Sequence, residues 1–131
     1  MKPDFSGEYA LNLDASQLSA NVASSIQTAS LRIKHDDPKF WCEGKFSFLN
    51  GETMQWAFEL VAQAPGVTRS EREPGPATLE WDGTSLVFLS QDSAMTVKFR
   101  YELDGEGHLR MAEELRGTDH DQDNLWIFDH R

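Results

Sequence analysis

Apolar and polar side chains alternate at period two along almost every segment after the first two dozen residues, which predicts strands with one wet and one dry face. Phe46 and Phe48 share the face of one strand. Past Asn50-Gly51, the run Met54, Trp56, Phe58, Leu60, Ala62 alternates with Thr53, Gln55, Ala57, Glu59, Val61. That is a hairpin, and Asn-Gly predicts a type I′ turn because both central positions need positive φ, which these residues tolerate. The same grammar recurs around Asp82-Gly83, with Leu79 and Trp81 before it and the run from Leu86 to Leu89 after it. A third hairpin sets Met95, Val97, Phe99, Tyr101 and Leu103 against Leu109, Met111, Glu113 and Leu115, across a turn at Asp104-Gly105-Glu106-Gly107. The last strand, residues 125–130, is apolar on both faces at Trp126, Ile127 and Phe128. Its outer face is therefore either covered or paired at an interface, which leaves room for a homo-oligomer through this strand.

Only residues 14–23 read as helix, with Asp14 and Gln17 at capping-box spacing and Leu18 and Val22 four apart. About ten strands in sequential hairpins, with one short helix near the N-terminus, predict an all-β antiparallel up-and-down β-barrel, because closure removes the edges a meander would expose. Residues 64–76 form the one long loop, rich in proline and glycine, with a short strand predicted around residues 67–70.

A chain of 131 residues is one domain's worth, so residues 1–131 are expected to form a single barrel domain, and 39% hydrophobic content supplies its core without staples. A lone cysteine, Cys42, excludes an intrachain disulfide, and the first five residues hold no apolar run that would serve as a signal peptide or span a membrane. Cytoplasmic localisation is the resulting expectation. The net charge of -10 repels phosphate backbones and anionic lipid, which argues against a nucleic-acid partner. That charge is lopsided, -2 over residues 1–69 and -8 over residues 70–131. Solubility accounts for the excess; a sharper account is an entrance, built from the second half, that selects neutral or cationic ligands.

Phe5-Ser6-Gly7-Glu8-Tyr9 resembles the opening of a calycin barrel, the group of lipocalins and fatty-acid-binding proteins, in which a Gly-x-Trp motif starts the first strand. Leu11-Asn12-Leu13, Ile33-Lys34-His35-Asp36-Asp37-Pro38-Lys39, Trp81-Asp82-Gly83 and the closing Ile127-Phe128-Asp129 follow in an order and spacing similar to small bacterial lipocalin-like proteins, over nearly the whole chain. The resemblance implies a calycin-like barrel that binds a small molecule inside. Tyr9 stands where many members have Trp, which keeps an aromatic plug but adds a hydroxyl. Fatty-acid-binding proteins hold a ligand carboxylate with an Arg-x-Tyr pair on the last strand, and the matching positions here are Trp126 and Phe128. Similar barrels stack a basic side chain on the first-strand aromatic, implying a cation–π contact between Arg131 and Tyr9.

Glu113 is the sharpest polar anomaly, because Leu109, Met111 and Leu115 point the same way and a carboxylate among them must find a donor or become neutral. Either outcome suits a ligand anchor or a general acid/base; an outward bulge or a structural Arg would give it a purely structural role. His35 extends the apolar face of Leu31 and Ile33 and is a second acid/base candidate, or a hydrogen-bonded rim residue. His130, on the face of Trp126 and Phe128, raises a haem-binding barrel, although one histidine does not define a haem site. Residues 119–123 begin like a calcium loop, but Asn124 and His130 stand where an EF-hand needs Gly and Glu. No metal site and no cofactor is predicted, and Cys42 reads as a small buried hydrophobe rather than a nucleophile. The function expected is binding of a small, largely apolar or weakly polar ligand, with Trp56, Phe58, Phe99, Tyr101 and Trp126 as wall and Glu113 as polar anchor. The alternatives are a lyase, isomerase or hydrolase using Glu113 or His35 in the same cavity, and an interaction module with a filled barrel.

Overall fold

A computed structural model describes residues 3–62, 77–91, 95–117 and 121–130. Within them lie nine strands, β1 (Gly7–Leu11), β2 (Ile26–Asp36), β3 (Lys39–Phe48), β4 (Thr53–Val61), β5 (Ala77–Asp82), β6 (Ser85–Gln91), β7 (Met95–Leu103), β8 (His108–Gly117) and β9 (Asp121–His130), and one helix, α1 (Ala20–Ala23). They form one antiparallel sheet in the order β4-β3-β2-β1-β9-β8-β7-β6-β5. Pairing of β1 with β9 curls the sheet round, and β4 and β5 come close without a hydrogen-bonded ladder, so the barrel is nearly closed. The count among the described residues is nine rather than about ten. The strand expected around residues 67–70 and the Arg131 contact with Tyr9 lie outside the described residues.

Period-two alternation holds along β2 from Ala29 to His35, with Ala29, Leu31, Ile33 and His35 buried, and a bulge between Ile26 and Thr28 lets Ile26 be buried out of step. The turns differ in detail from the Asn-Gly expectation. Asn50 keeps a negative φ and only Gly51, at +90°, is left-handed, so the β3–β4 turn is not type I′. Asn50 instead accepts the Glu52 amide on its side chain (2.9 Å), and Phe48 donates to the Glu52 carbonyl (2.9 Å), giving a longer loop with glycine at its left-handed position. Between β5 and β6 the two central residues are Gly83-Thr84, because Asp82 pairs with Ser85. At the β7–β8 turn, the Asp104 carboxylate accepts the amides of Glu106 and His108 and is held below its ordinary pKa by those bonds.

The helix is four residues long rather than ten. The capping box at Asp14 and Gln17 does not form, because β9 claims the backbone of this segment: Gln17 and Leu125 exchange a pair of hydrogen bonds of 2.8 Å, and Ser19 donates to the Asn124 side chain (2.7 Å). Two further bonds, Asn12 N–H to the Ile127 carbonyl (2.8 Å) and Ile127 N–H to Ser16 Oγ (2.9 Å), strap this segment along β9. Ile127 is consequently 9% exposed within a single chain. The covered alternative for the last strand is the one observed, and Ile127 no longer motivates an oligomer through its outer face.

One end of the barrel is packed shut by Phe5, Tyr9, Phe40, Trp81, Leu86, Tyr101, Leu109 and Phe128, all buried. The chain before β1 folds over this end as a plug. Phe5 N–H donates to His35 Nδ1 (3.1 Å), Ser6 Oγ exchanges bonds with the His35 backbone (2.8 and 2.9 Å), and Tyr9 Oη donates to the Phe5 carbonyl (2.7 Å). Gly7, at φ +146°, lets the His130 ring pass where a Cβ would stand.

Candidate functional site

The opposite end, where β3 and β8 finish and β4, β7 and β9 begin, holds a cavity of about 490 Å³. Its wall is apolar and strongly aromatic, with Phe46, Trp56, Phe58, Phe88, Phe99 and Trp126 as the rings. Gly44 pairs in register with Trp56, and a Cβ there would overlap the indole, so glycine is what lets Trp56 lie flat across β3. Val22 of α1 closes part of the mouth, and Met54, exposed at the hairpin tip, borders it.

Among the described residues that line this cavity, Glu113 is the one titratable side chain. The ladder passes from Phe99 to Glu113 to Asn124 without a bulge, so Glu113 keeps the inward face of Leu109 and Met111. Its donors are neither Arg nor Lys. Glu113 Oε1 accepts from Asn124 Nδ2 at 2.8 Å and from the Trp126 indole N–H at 3.2 Å. Asn124 is itself buried and accepts from Ser19, which orients its amide toward the carboxylate. Glu113 also borders a shallow outer depression with Gln17, Leu18 and Ser19, so it sits toward the cavity's side wall.

Of the expected wall residues, Trp56, Phe58, Phe99 and Trp126 line the cavity. Tyr101 does not: it is fully buried under the wall, packed on Phe40 and Phe99 at 5.6 and 6.3 Å, with its hydroxyl beside Cys42. Burial pushes the Tyr101 hydroxyl well up and the Cys42 thiol up to about 12, so neither ionises near neutrality. Cys42 is the small buried residue expected rather than a nucleophile.

His35 is at the other end of the barrel from Glu113, boxed by Phe5, Phe40 and Trp81 at 5.5 to 5.7 Å. Its Nδ1 is an acceptor for the Phe5 amide, and its Nε2 lies 3.7 Å from Asp37, whose Oδ1 also accepts the Trp81 indole N–H (2.9 Å). The histidine organises the plug, and the depression outside it is shallow and lined by charged residues such as Lys34, Asp36 and Lys39. Glu113 and His35 therefore cannot act on one ligand. His130 is likewise remote from the cavity, set edge-on against Tyr9 at 5.0 Å, a placement that removes the geometric basis for axial haem ligation. Asp121 and Asp123 lie on β9, with Asp123 bound to Arg116 (2.7 Å); residues 119 and 120 of the stretch that begins like a calcium loop lie outside the described residues.

Asn124 was visible in the sequence only as the wrong residue for a calcium loop. Its spacing from Trp126 and Phe128, two and four residues on, is the signal that puts it on the inner face.

No protein-family model matches the chain, and no curated protein matches it in sequence. Solved structures do. The fluorescent protein UnaG superposes with a TM-score of 0.61 at 15% identity, covering 97% of each chain. A zebrafish ileal bile acid-binding protein complexed with cholic acid superposes with a TM-score of 0.58 at 10% identity, covering 97% of this chain and 98% of the other. The chain shares the barrel fold of these two proteins. At the two positions where the sequence departs from the Arg-x-Tyr clamp, Trp126 and Phe128 are buried on the inner face of β9 and neither carries a cation. The filled-barrel alternative fits only the plugged half. Among the described residues, no helix is long and apolar enough to cross a membrane.

Proposed function

We propose that the chain binds a small, largely apolar molecule in the open end of the barrel, with Trp56, Phe58, Phe99 and Trp126 as wall and Glu113 as polar anchor. The observation that carries this reading is the open-ended cavity of about 490 Å³ walled by aromatic rings around one carboxylate, a size and lining suited to a small organic ligand. The zebrafish protein, complexed with cholic acid in the same architecture, supports it. Catalysis has weaker support, because among the described residues the lining offers Glu113 no titratable partner. A free thiol held in the core suits a reducing compartment such as the cytoplasm.

Native mass spectrometry of freshly purified protein, followed by titration with the neutral apolar dye N-phenyl-1-naphthylamine, tests the proposal. A retained small molecule, or saturable dye uptake with blue-shifted emission at one site per chain, is expected. Absence of both a retained mass and dye uptake overturns it.

A further inference from the structure

We infer that this cavity selects a lipophilic ammonium ion, a protonated amine on an apolar body, with Glu113 as its counter-ion. The inference rests on the ligand-binding reading of the same cavity and adds the charge of the ligand.

The rings of the wall form a continuous arc. Trp126 meets Phe46 edge-on at 5.2 Å, Phe46 meets Trp56 at 6.2 Å, Trp56 stacks on Phe58 at 5.9 Å and 15°, Phe58 meets Phe88 at 4.8 Å, and Phe88 meets Phe99 at 5.8 Å. Glu113 closes this arc into a ring. At one end of it the Trp126 indole donates to the carboxylate, and at the other Phe99 is the cross-strand partner of Glu113. Aromatic faces carry the negative lobe of a quadrupole, so an arc of them around a carboxylate favours positive charge throughout the cavity.

The carboxylate itself has capacity to spare. Both donors, Asn124 and Trp126, converge on Oε1, and among the described residues no hydrogen bond reaches Oε2. Glu113 is half-buried, and Oε2 is left to accept an ammonium N–H in a charge-assisted bond. An anionic ligand meets the opposite situation. Among the described residues no Lys, Arg or His lines the cavity; on the outer face Lys98 is paired with Glu114 (3.7 Å) and Arg116 with Asp123 (2.7 Å), while Arg110 is exposed and borders only the outer depression. A carboxylate-bearing ligand would enter beside Glu113 with no counter-charge. Most of the chain's negative charge falls in residues 70–131, which include β7, β8 and β9 beside the mouth, and this field attracts cations.

Three naphthalenes of matched shape test the inference by isothermal titration calorimetry at pH 7: 1-naphthylmethylamine, 1-naphthylmethanol and 1-naphthoate. The amine is expected to bind about tenfold or more tightly than the alcohol, the order of one charge-assisted hydrogen bond, and the carboxylate about tenfold or more weakly. Glu113→Gln, checked for its fold by circular dichroism, should erase the gap between amine and alcohol. Equal affinity of amine and alcohol in the wild-type protein overturns the inference while leaving an apolar binding cavity intact; this comparison needs no variant. An amine preference that survives in a folded Glu113→Gln protein also overturns it. Binding of none of the three sinks the ligand-binding reading as well.

Discussion

The two ends of the barrel use the same strand alternation and the same kinds of aromatic residue, yet one is solid and the other hollow. Phe40 and Phe58 show the contrast at its boundary, since they stack at 6.0 Å while Phe40 is fully buried and Phe58 faces the cavity. What separates the ends is the chain that covers them. At the closed end the segment before β1 inserts Phe5 and is fixed by the Phe5 amide donating to the His35 ring and the His35 amide donating to Ser6 Oγ. At the open end the one-turn helix contributes Val22 to the mouth. The strands thus supply a uniform aromatic lining, and the covering segments decide whether it becomes core or cavity.

The contrast is broken most strongly by truncating each phenylalanine in turn. Phe40→Ala should cost about 3–5 kcal/mol, because its packed surroundings cannot collapse into the space. Phe58→Ala should cost well under half of that, since one side of the ring already lacks packing partners. Urea denaturation of both variants measures the gap, and equal costs would mean that the open end is packed in solution. Gly44→Ala sharpens the picture from the cavity side, because its methyl must push the Trp56 indole inward. A loss of about 1–3 kcal/mol is expected, as for other overpacked sites, together with weaker uptake of the naphthylamine dye. Dye affinity that is unchanged in a destabilised Gly44→Ala protein would dissociate Trp56 from the wall.

A smaller effect comes from pH. The buried Cys42 thiol rises from its ordinary 9.0 to about 12, and Tyr9 rises from 10.0 to about 12, both through burial. Both groups ionise at lower pH in the unfolded chain than in the folded one, so the unfolded state binds fewer protons in that range. Their contribution is fully present below about pH 9 and is lost as pH climbs toward 12. Denaturation midpoints between pH 8 and 11 should therefore fall, and Cys42→Ala should flatten part of the decline. A midpoint that stays level over that range contradicts the closed packing around Cys42.

Much of this architecture is legible in the sequence because it depends on local alternation. Leu109, Met111 and Glu113 share a face by spacing alone, and the absence of a bulge in β8 carries that face through to the cavity. Features set by distant backbone partners are not legible. The hydrogen bonds of Gln17 and Ser19 to β9 shorten the helix that residues 14–23 would otherwise form. Phe99 and Tyr101 read identically, two residues apart on one face, and only their height along the barrel axis makes one a wall residue and the other core. That height follows from the stagger of strands around the barrel, to which period-two spacing is blind. Asn124 escaped for a related reason: an inward amide reads as a defect until the carboxylate it serves is known to lie opposite.

The sheet order also bears on how the barrel assembles. β1 to β4 and β5 to β9 are two meanders in which every strand pairs with its neighbour in sequence, and the ladder that unites them joins Tyr9 to His130. Each meander can zip from its own turns at small loop-closure cost, whereas the uniting ladder closes almost the full length of the chain. The encounter of β1 with β9 is therefore expected to come late in folding, and the strap of residues 12–19, bonded along β9, is placed to act as a clasp that holds the two meanders together once they meet.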